Sequence, residues 1–337
     1  MRSATTMIRR IAIMGAQIVI YGPSGDGLAD FQRVAPEGAD VGWVDSSLPM
    51  EDQAEQLRDA QVMVVAGANV SVEVARHAPN LKLVQTTSAG TDQLDKTALG
   101  EMGIRVSNNG GGNAVAVAEH TIALLVSTIR KLQLQFNAVK AGEWAGDIRA
   151  AWFSQANEIA GKTVGIVGLG RIGSRVARRL QGWECDIIYA DVVDPEEGIE
   201  EELNLTRVSL DELLSTADII TLHVPLGGPT YHMISDREFD LMKPTTVFIN
   251  ACRGPVVDEA ALIRAMEAGK IAQAGLDVLE EEPTPVDNPL LHMDNVLVTP
   301  HLASFTQESG EKSRTFAMYN GARVARGEDP ESVVLPD

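Results

Sequence analysis

The sequence is short of cysteine, of positive charge and of long apolar runs, and each shortage excludes a class of protein. Its two cysteines, Cys185 and Cys252, cannot build a disulfide framework, which favours a reducing cytoplasm. With 28 basic against 47 acidic residues, the net charge of −19 opposes binding to nucleic acid or to an anionic membrane. No apolar run approaches the roughly twenty residues needed to cross a bilayer. We therefore expect a cytoplasmic protein with neither nucleic acid nor membrane as a partner.

What the sequence does contain is a glycine-rich turn between a strand and a helix. Residues 163–167 form a short apolar run typical of a buried strand. The pattern G-x-G-x-x-G follows at residues 168–173 and opens an apolar-periodic helix. A second strand, predicted at residues 186–190, then leads to Asp191. Strand, turn, helix, strand and acid in this order predict a dinucleotide-binding βαβ unit.

Each residue of the turn has a physical task in that prediction. Gly168 permits the tight turn, and Gly170 has no side chain to keep a pyrophosphate away from the backbone. Gly173 allows the helix to pack closely on its strand. Arg171 and Ile172 lie at the helix N-terminus, where N–H groups and the helix dipole attract phosphate. These five residues of the turn are predicted to form part of the cofactor site.

Asp191 indicates which dinucleotide is bound. Its carboxylate can accept both ribose hydroxyls of an adenosine. A 2′-phosphate about 4 Å away would meet a repulsion of about 1–4 kcal/mol at surface dielectric. The next residues, Val192, Val193 and Asp194, offer no cation to relieve it. The sequence therefore predicts NAD rather than NADP.

The order of predicted elements indicates an α/β fold with two domains, for which 337 residues suffice. Strand-like and helix-like runs alternate in both halves, as in doubly wound parallel sheets. A glycine-rich break at 108–113 precedes a long helix predicted over 114–131, and a last helix is predicted after residue 305. We expect a Rossmann-type cofactor domain, residues 113–304, inserted into a flavodoxin-like substrate domain, residues 1–112 and 305–337. The predicted strands span residues 17–21, 41–44, 62–65, 82–86, 105–106, 163–167, 186–190, 219–223, 246–250, 274–278 and 295–298.

Polar side chains follow three strands predicted in the second half. Arg253 follows strand 246–250, and His301 follows strand 295–298. Asp277 lies at the end of strand 274–278, and Glu280, Glu281 and Glu282 follow it. Ligands of open α/β sheets bind at the carboxyl ends of the strands. A guanidinium binds a carboxylate and a neighbouring carbonyl together, and a histidine beside a carboxylate is a proton donor near neutral pH. These residues predict the reduction of a 2-oxo acid.

The chain resembles the D-isomer-specific 2-hydroxyacid dehydrogenases over nearly its whole length. The specific motifs are INACRGPVVDEAAL (249–262), AGLDVLEEEP (274–283) and TPHLAS (299–304), with support from LHVPL (222–226), SAGTD (88–92) and AVAEH (116–120). The resemblance implies that Arg253 binds substrate, that Glu282 pairs with His301, and that His301 is the acid/base. It also implies an NAD cofactor and a homodimer. The Trp-bearing segment 137–158 is expected either to cross to a neighbouring subunit, which suits a dimer, or to line the cleft.

Further roles come from the same resemblance. Asp277 resembles the residue that holds the nicotinamide carboxamide. Ser88, Ala89 and Gly90 resemble the cradle of the substrate carboxylate. The residues expected along the cofactor are His223, Pro225, Ala251 and Cys252. We assign no metal ligands.

Two residues are interpreted as structural rather than catalytic, and the sequence leaves several substrates possible. We interpret His120 as a core or capping histidine, and Cys252 as a small residue that fills a strand end. Phosphoglycerate enzymes of this fold bring arginines to the phosphate, whereas residues 65–69 and 85–88 contain none. A small acid such as glyoxylate, hydroxypyruvate or pyruvate is therefore expected. The alternatives are an NAD-sensing corepressor, a phosphite dehydrogenase and a phosphoglycerate dehydrogenase of the same fold.

Overall fold

The computed structural model describes residues 17–23, 27–144, 146 and 156–336. The chain divides into two compact units, one formed by Met1–Asn113 with Phe305–Asp337 and the other by Ala114–Ser304. The second unit is thus inserted into the chain of the first. Trp152, in the segment that we expected to contact a second subunit, lies outside the described residues, and Trp144 is exposed.

The first unit is built on a six-stranded sheet. Its strand order is β13-β5-β4-β3-β1-β2, with all neighbours parallel except the short edge pair β13 and β5. The 2-1-3-4-5 order is that of flavodoxin-like folds. The strands are β1 (Ile18–Gly22), β2 (Val41–Asp45), β3 (Val62–Val65), β4 (Leu83–Thr86), β5 (Arg105–Ser107) and β13 (Val333–Val334), and the helices are α1 (Leu28–Val34), α2 (Met50–Leu57), α3 (Val72–Arg76), α4 (Lys96–Glu101) and α12 (Gln307–Ala325).

The second unit is built on a seven-stranded parallel sheet. Its order is β12-β11-β10-β9-β6-β7-β8, so the direction of winding reverses between β6 and β9. This is the Rossmann order, in which ligands bind at the reversal point. The strands are β6 (Thr163–Val167), β7 (Asp186–Ala190), β8 (Leu205–Arg207), β9 (Ile219–Leu222), β10 (Val247–Asn250), β11 (Gln273–Leu276) and β12 (Val296–Val298), and the helices are α5 (Ala114–Ile129), α6 (Leu132–Lys140), α7 (Gly173–Leu180), α8 (Ile199–Glu202), α9 (Leu210–Thr216), α10 (Asp236–Leu241) and α11 (Glu259–Glu267).

Both sheets are buried on both faces, because successive side chains of a strand point to opposite sides. In β10, Phe248 packs into one core cluster and Ile249 into the other. Burying a side chain of this size contributes about 1.5–3 kcal/mol. In the first unit, α12 covers one face of the sheet, with Met318 packed in the cluster that contains Ile18 and Ile20. The predicted return of the last helix to the first sheet is therefore what the structure shows.

Side-chain caps fix where several helices begin. Ser209 caps α9, Asp258 caps α11 and Thr306 caps α12, each by accepting a hydrogen bond from a backbone N–H of the first turn. The long helix predicted over 114–131 ends at Ile129, because Lys131 adopts a left-handed backbone with φ 53°. None of the helices in the described part of the chain has the length and apolarity that a membrane crossing requires.

Candidate active site

The glycine turn joins β6 to α7 at the reversal point of the second sheet. Gly168 has φ 92°, and a Cβ there would lie 2.8 Å from the carbonyl oxygen of His223. A Cβ on Gly173 would lie 2.0 Å from the carbonyl oxygen of Gly168. Both glycines are therefore required by packing within the unit. A Cβ on Gly170 would meet no atom of the described part of the chain within 4 Å, so its small size leaves room for a ligand.

The helix start beside this turn suits an anionic group. Ile172 occupies the N-cap position and provides no side-chain hydrogen bond to the helix. Its side chain packs instead against the core, while Arg171 is exposed. The open side of Gly170 and a helix N-terminus without a side-chain cap together fit the pyrophosphate of a dinucleotide.

Asp191 ties the turn to the end of β7. Its carboxylate accepts hydrogen bonds from the backbone N–H of Leu169 (2.7 Å) and of Val193 (2.9 Å). A carboxylate has about four acceptor positions, so both oxygens can still accept ribose hydroxyls. Asp191 is half-buried, and the position of its carboxylate is fixed by the two backbone groups.

A cation that the sequence analysis missed lies beside Asp191. Arg207, at the end of β8, donates from Nη1 to Asp194 Oδ1 (2.7 Å) and from Nη2 to the carbonyl oxygen of Asp191 (2.9 Å). The sequence analysis considered only the residues that directly follow Asp191. Residues 192–194 contain none, but the neighbouring strand β8 supplies one. Its guanidinium is held by Asp194.

The other residues expected along the cofactor lie at the ends of β9 and β10. His223 is 9% exposed, and its Nε2 contacts Thr221 Oγ1 at 3.0 Å. Its buried Nδ1 has no hydrogen-bond partner among the described residues. Burial lowers the pKa of His223 to about 3, so the ring is neutral and has no imidazolium proton to donate at neutral pH. Pro225 is exposed and Ala251 is buried.

Cys252 is buried at the end of β10 and packs in a core cluster. Its Sγ lies 3.1 Å from Asn250 Oδ1, and burial raises the pKa of its thiol to about 11. A thiol that stays protonated at neutral pH is a weak nucleophile. The interpretation of Cys252 as a strand-end filler therefore holds within the described residues.

The three polar side chains expected to do chemistry follow β10, β11 and β12. Asn250 is in register with Leu276, and Leu276 with Val298, so these strands end at one edge of the sheet. Arg253 is half-buried beyond β10, and its Nη1 donates to the carbonyl oxygen of Cys252 at 2.7 Å.

Gly254 brings the Arg253 turn against the loop that contains Glu282. A Cβ on Gly254 would lie 1.8 Å from the carbonyl oxygen of Leu279, so only glycine permits this packing. The N–H of Leu279 in turn donates to Glu282 Oε1 at 3.1 Å. The turn that bears the arginine and the loop that bears the glutamate are thus in direct contact.

His301 and Glu282 form a hydrogen-bonded pair. His301 Nδ1 lies 2.6 Å from Glu282 Oε2, with side-chain exposures of 43% and 37%. An ionised carboxylate only accepts, so Nδ1 carries the proton of this bond and Nε2 faces away from Glu282. Among Glu280, Glu281 and Glu282, Glu282 is the residue that contacts His301. Glu280 pairs instead with His232.

Asp277 is 1% exposed, and its carboxylate is hydrogen-bonded to the segment that follows β12. Its carboxylate accepts hydrogen bonds from Thr299 Oγ1 (2.6 Å) and from the backbone N–H groups of Leu302 (3.1 Å) and Ala303 (2.9 Å). Burial alone would raise the pKa of Asp277, but hydrogen bonds from His120, Thr299 and Ala303 lower it. The carboxyl is therefore ionised in the folded protein.

The turn expected to bind the substrate carboxylate follows β4 in the first unit. Ser88 Oγ donates to the carbonyl oxygen of Gly90 at 2.8 Å, and the carbonyl oxygen of Ser88 accepts from Thr86 Oγ1 (2.8 Å) and from the N–H of Asn109 (3.0 Å). Ala89 lies between them, half-buried. The carbonyl oxygens of Ser88 and Gly90 are thus held within the unit.

His120 differs from its expected role. Its side chain is 26% exposed, and its Nε2 lies 3.3 Å from Asp277 Oδ1 and 3.2 Å from Thr299 Oγ1. It is neither a buried core residue nor a helix cap. Its partners are 157 and 179 positions further along the chain, so no local pattern indicates the contact.

The fold and this site define a dinucleotide-dependent dehydrogenase, and comparison with known proteins identifies its family. Residues 122–303 match the family described as "D-isomer specific 2-hydroxyacid dehydrogenase, NAD binding domain". The chain is 38% identical over 288 residues to a glyoxylate reductase of Thermofilum pendens, covering 84% of each chain. The chain therefore belongs to the D-isomer specific 2-hydroxyacid dehydrogenase family and is an NAD-dependent oxidoreductase.

Two further similarities define the range of relatives. A D-3-phosphoglycerate dehydrogenase of Archaeoglobus fulgidus is 37% identical over 294 residues, which cover 87% of this chain but 54% of the relative. A solved glyoxylate reductase from "Paecilomyes thermophila" superposes with a TM-score of 0.83 at 27% identity, covering 95% of this chain and 99% of that one. The relatives thus share the fold and the reaction class but differ in the substrates that their names state.

Proposed function

We propose that the protein reduces a small unphosphorylated 2-oxo acid to its D-2-hydroxy acid with NADH, and that His301 is the proton donor. The observation that supports this most directly is the 2.6 Å contact between His301 Nδ1 and Glu282 Oε2. In this contact the N–H of Nδ1 donates to the glutamate, so Nε2 is left to act on the substrate. A histidine oriented by a carboxylate is a common general acid in enzymes.

Each residue then has one task in the reduction. NADH supplies a hydride to the carbonyl carbon when it is bound. Arg253 binds the carboxylate and the carbonyl oxygen of the acid with the two sides of its guanidinium. As negative charge develops on the carbonyl oxygen, His301 Nε2 delivers a proton to it. Glu282 holds the imidazolium in place, and in the oxidative direction His301 accepts the proton from the hydroxyl.

The cofactor contacts follow from the same proposal. The glycine turn would hold the pyrophosphate, Asp191 would accept hydrogen bonds from the adenosine ribose, and Asp277 would hold the carboxamide of the nicotinamide. The SAGTD motif supports a substrate-carboxylate role for Ser88, Ala89 and Gly90. The full proposed set toward the cofactor is Gly168, Gly170, Arg171, Ile172, Gly173, Asp191, His223, Pro225, Ala251, Cys252 and Asp277.

Two observations favour an unphosphorylated substrate. The loops after β3 and β4, residues 65–69 and 85–88, contain no arginine or lysine. The net charge of −19 also disfavours an additional phosphate on the substrate. The similarity to a D-3-phosphoglycerate dehydrogenase keeps the phosphorylated acid as the second candidate.

The test is a comparison of substrates with the intact protein. NADH oxidation is followed with glyoxylate, hydroxypyruvate, pyruvate and the phosphorylated form of hydroxypyruvate, and NAD reduction with phosphite. We expect kcat/KM for the best unphosphorylated acid to exceed that for the phosphorylated one by at least about 100-fold, as expected when a pocket lacks a partner for a charged group. A higher kcat/KM for the phosphorylated acid, or for phosphite, would identify the alternative enzyme.

Cofactor choice gives a separate prediction. Asp191→Ala is expected to raise the NADPH to NADH ratio of kcat/KM by about 10- to 1000-fold, because the repulsion of the 2′-phosphate disappears. Adding Asp194→Asn should raise the ratio further, since Arg207 is then released toward the phosphate. Arg207→Met in the double variant is the matched control and should remove this second gain. An unchanged ratio in Asp191→Ala would disprove the role given to Asp191.

We also propose a cytoplasmic homodimer. Helix α6 and the residues after it present exposed apolar side chains, with Phe136 64% and Trp144 71% exposed. Exposed apolar groups of this size are a common mark of subunit contact. Sedimentation velocity should give twice the chain mass of 36.1 kDa, and a species of single chain mass at micromolar concentration would contradict the dimer.

A further inference from the structure

The AVAEH motif has no role in the proposed chemistry, yet its histidine lies against the loop that contains His301. His120 is on helix α5, and its Nε2 lies 3.2 Å from Thr299 Oγ1 and 3.3 Å from Asp277 Oδ1. Thr299 directly follows β12, two residues before His301. His120, from a distant part of the sequence, thus contacts the first residue of the loop that carries His301.

Asp277 connects this contact to both sides of His301. Its carboxylate accepts a hydrogen bond from Thr299 Oγ1, which precedes His301 in the chain. It also accepts hydrogen bonds from the N–H groups of Leu302 and Ala303, which follow His301. Its carbonyl oxygen accepts a hydrogen bond from the backbone N–H of His301 itself at 2.8 Å. Asp277 therefore fixes the backbone before, at and after the proposed proton donor.

The backbone of His301 needs such support. Its φ of 53° lies in the left-handed region, which residues other than glycine adopt rarely. Conformations of this kind persist when surrounding contacts determine them. The direction of the imidazole thus depends on the hydrogen bonds that Asp277 accepts, in addition to the contact of its Nδ1 with Glu282.

The proton count assigns a donor role to His120. Thr299 donates its single hydroxyl hydrogen to Asp277 Oδ1, and the ionised carboxylate of Asp277 has no hydrogen to donate. A hydrogen bond between His120 and this pair therefore requires the hydrogen on Nε2 of His120. That N–H points to a buried carboxylate, where a hydrogen bond to a charged group is stronger than one between neutral groups.

The packing of helix α5 keeps His120 at this position. A Cβ on Gly275, in β11, would lie 2.5 Å from Thr128 Oγ1 and 3.1 Å from Leu124 Cγ, so the helix lies directly on that strand. Asp277 follows two residues later at the end of the same strand. The helix and the catalytic edge of the sheet are therefore held together in a fixed relation.

We propose that His120 is a positioning residue of the reductase reaction, which acts through Asp277 and Thr299 to hold the loop that presents His301. It touches neither substrate nor the reacting atoms. The inference rests on the proposed role of His301 as the proton donor. It gives the AVAEH motif a function and replaces its interpretation as a core or capping residue.

The experiment compares His120→Leu, His120→Gln and His301→Gln with the double variant His120→Leu/His301→Gln. His120→Leu should lower kcat by about ten-fold or more, because small displacements of a catalytic group are costly, while the Kd for NADH stays within about two-fold. His120→Gln keeps a side-chain N–H donor and should recover kcat to within about three-fold of the unmodified protein. His77→Leu, on an exposed histidine, is the matched control and should change neither value.

The double variant separates positioning from a general loss of folded protein. If His120 acts through His301, the double variant should be as active as His301→Gln alone, because coupled residues give non-additive losses. Additive losses, or a His120→Leu variant with unchanged kcat, would overturn the inference. Full activity of His301→Gln would instead reject the proposed function, whatever the result at His120. Thermal unfolding of each variant identifies any that fail to fold, and His120→Gln then supplies the comparison.

Discussion

Replacing His301 by alanine is expected to lower kcat for reduction of the best 2-oxo acid by about 100- to 10,000-fold, the usual contribution of a general acid. Without the imidazole, the developing alkoxide has to take its proton from water. The NADH site lies mainly on the glycine turn and Asp191, so the Kd for NADH should stay within about two-fold. Steady-state kinetics and fluorescence titration with NADH measure the two quantities.

Two further variants refine this expectation. Glu282→Gln keeps the size of the side chain but removes the charge that faces the imidazolium, and should lower kcat less than His301→Ala does. His77→Ala is the surface control. If His301→Ala keeps kcat within about three-fold of the unmodified protein, another group donates the proton and the proposed role of His301 is wrong.

Removing the guanidinium of Arg253 should have the second large effect. Arg253→Ala is expected to lower kcat/KM by about 100- to 10,000-fold, because two charge-assisted hydrogen bonds to the acid are lost. Arg253→Lys should recover only part of this, since an ammonium cannot bind carboxylate and carbonyl together. The measurement is kcat/KM with the acid at saturating NADH.

The control for Arg253 is an arginine on the surface of the same unit. Arg264 is paired with Asp236 and its side chain is 53% exposed, so Arg264→Lys should leave kcat/KM unchanged. A fully active Arg253→Lys variant would show that the planar fork of the guanidinium is not used.

Most of the second sheet could be predicted because its strands are short, buried and bounded by glycine or polar residues. The strands at 163–167 and 186–190 match the predicted bounds. The glycine turn was equally clear, since Gly168 and Gly173 are required by close backbone contacts that only glycine permits. The local sequence is sufficient to predict the structure where local steric contacts determine the backbone conformation.

The sequence did not predict two short strands, which form only by pairing with a neighbouring strand. β8, Leu205–Arg207, has three residues, and β13, Val333–Val334, has two and pairs antiparallel to β5. Neither has the length to show a periodic pattern. The unpredicted antiparallel edge of the first sheet follows from the same limit.

The contacts of Arg207, for which there was no prediction from the sequence, and of His120, which was misjudged, are both long-range. Arg207 reaches Asp191 and Asp194 because β8 pairs with β7, and β8 itself was not predicted. His120 meets Thr299 only when helix α5 packs on β11. Their residue types are visible in the sequence, but their neighbours are set by tertiary packing.

The most direct test of the account follows the hydride itself. The intact protein is given NADH dideuterated at C4 of the nicotinamide together with the best 2-oxo acid from the substrate comparison, and the product is examined for deuterium at C2 and, where C2 is chiral, for configuration. The account predicts one deuterium at C2 and the D enantiomer, with the hydroxyl proton supplied from solvent through His301. A product without deuterium at C2, or of L configuration, would contradict it.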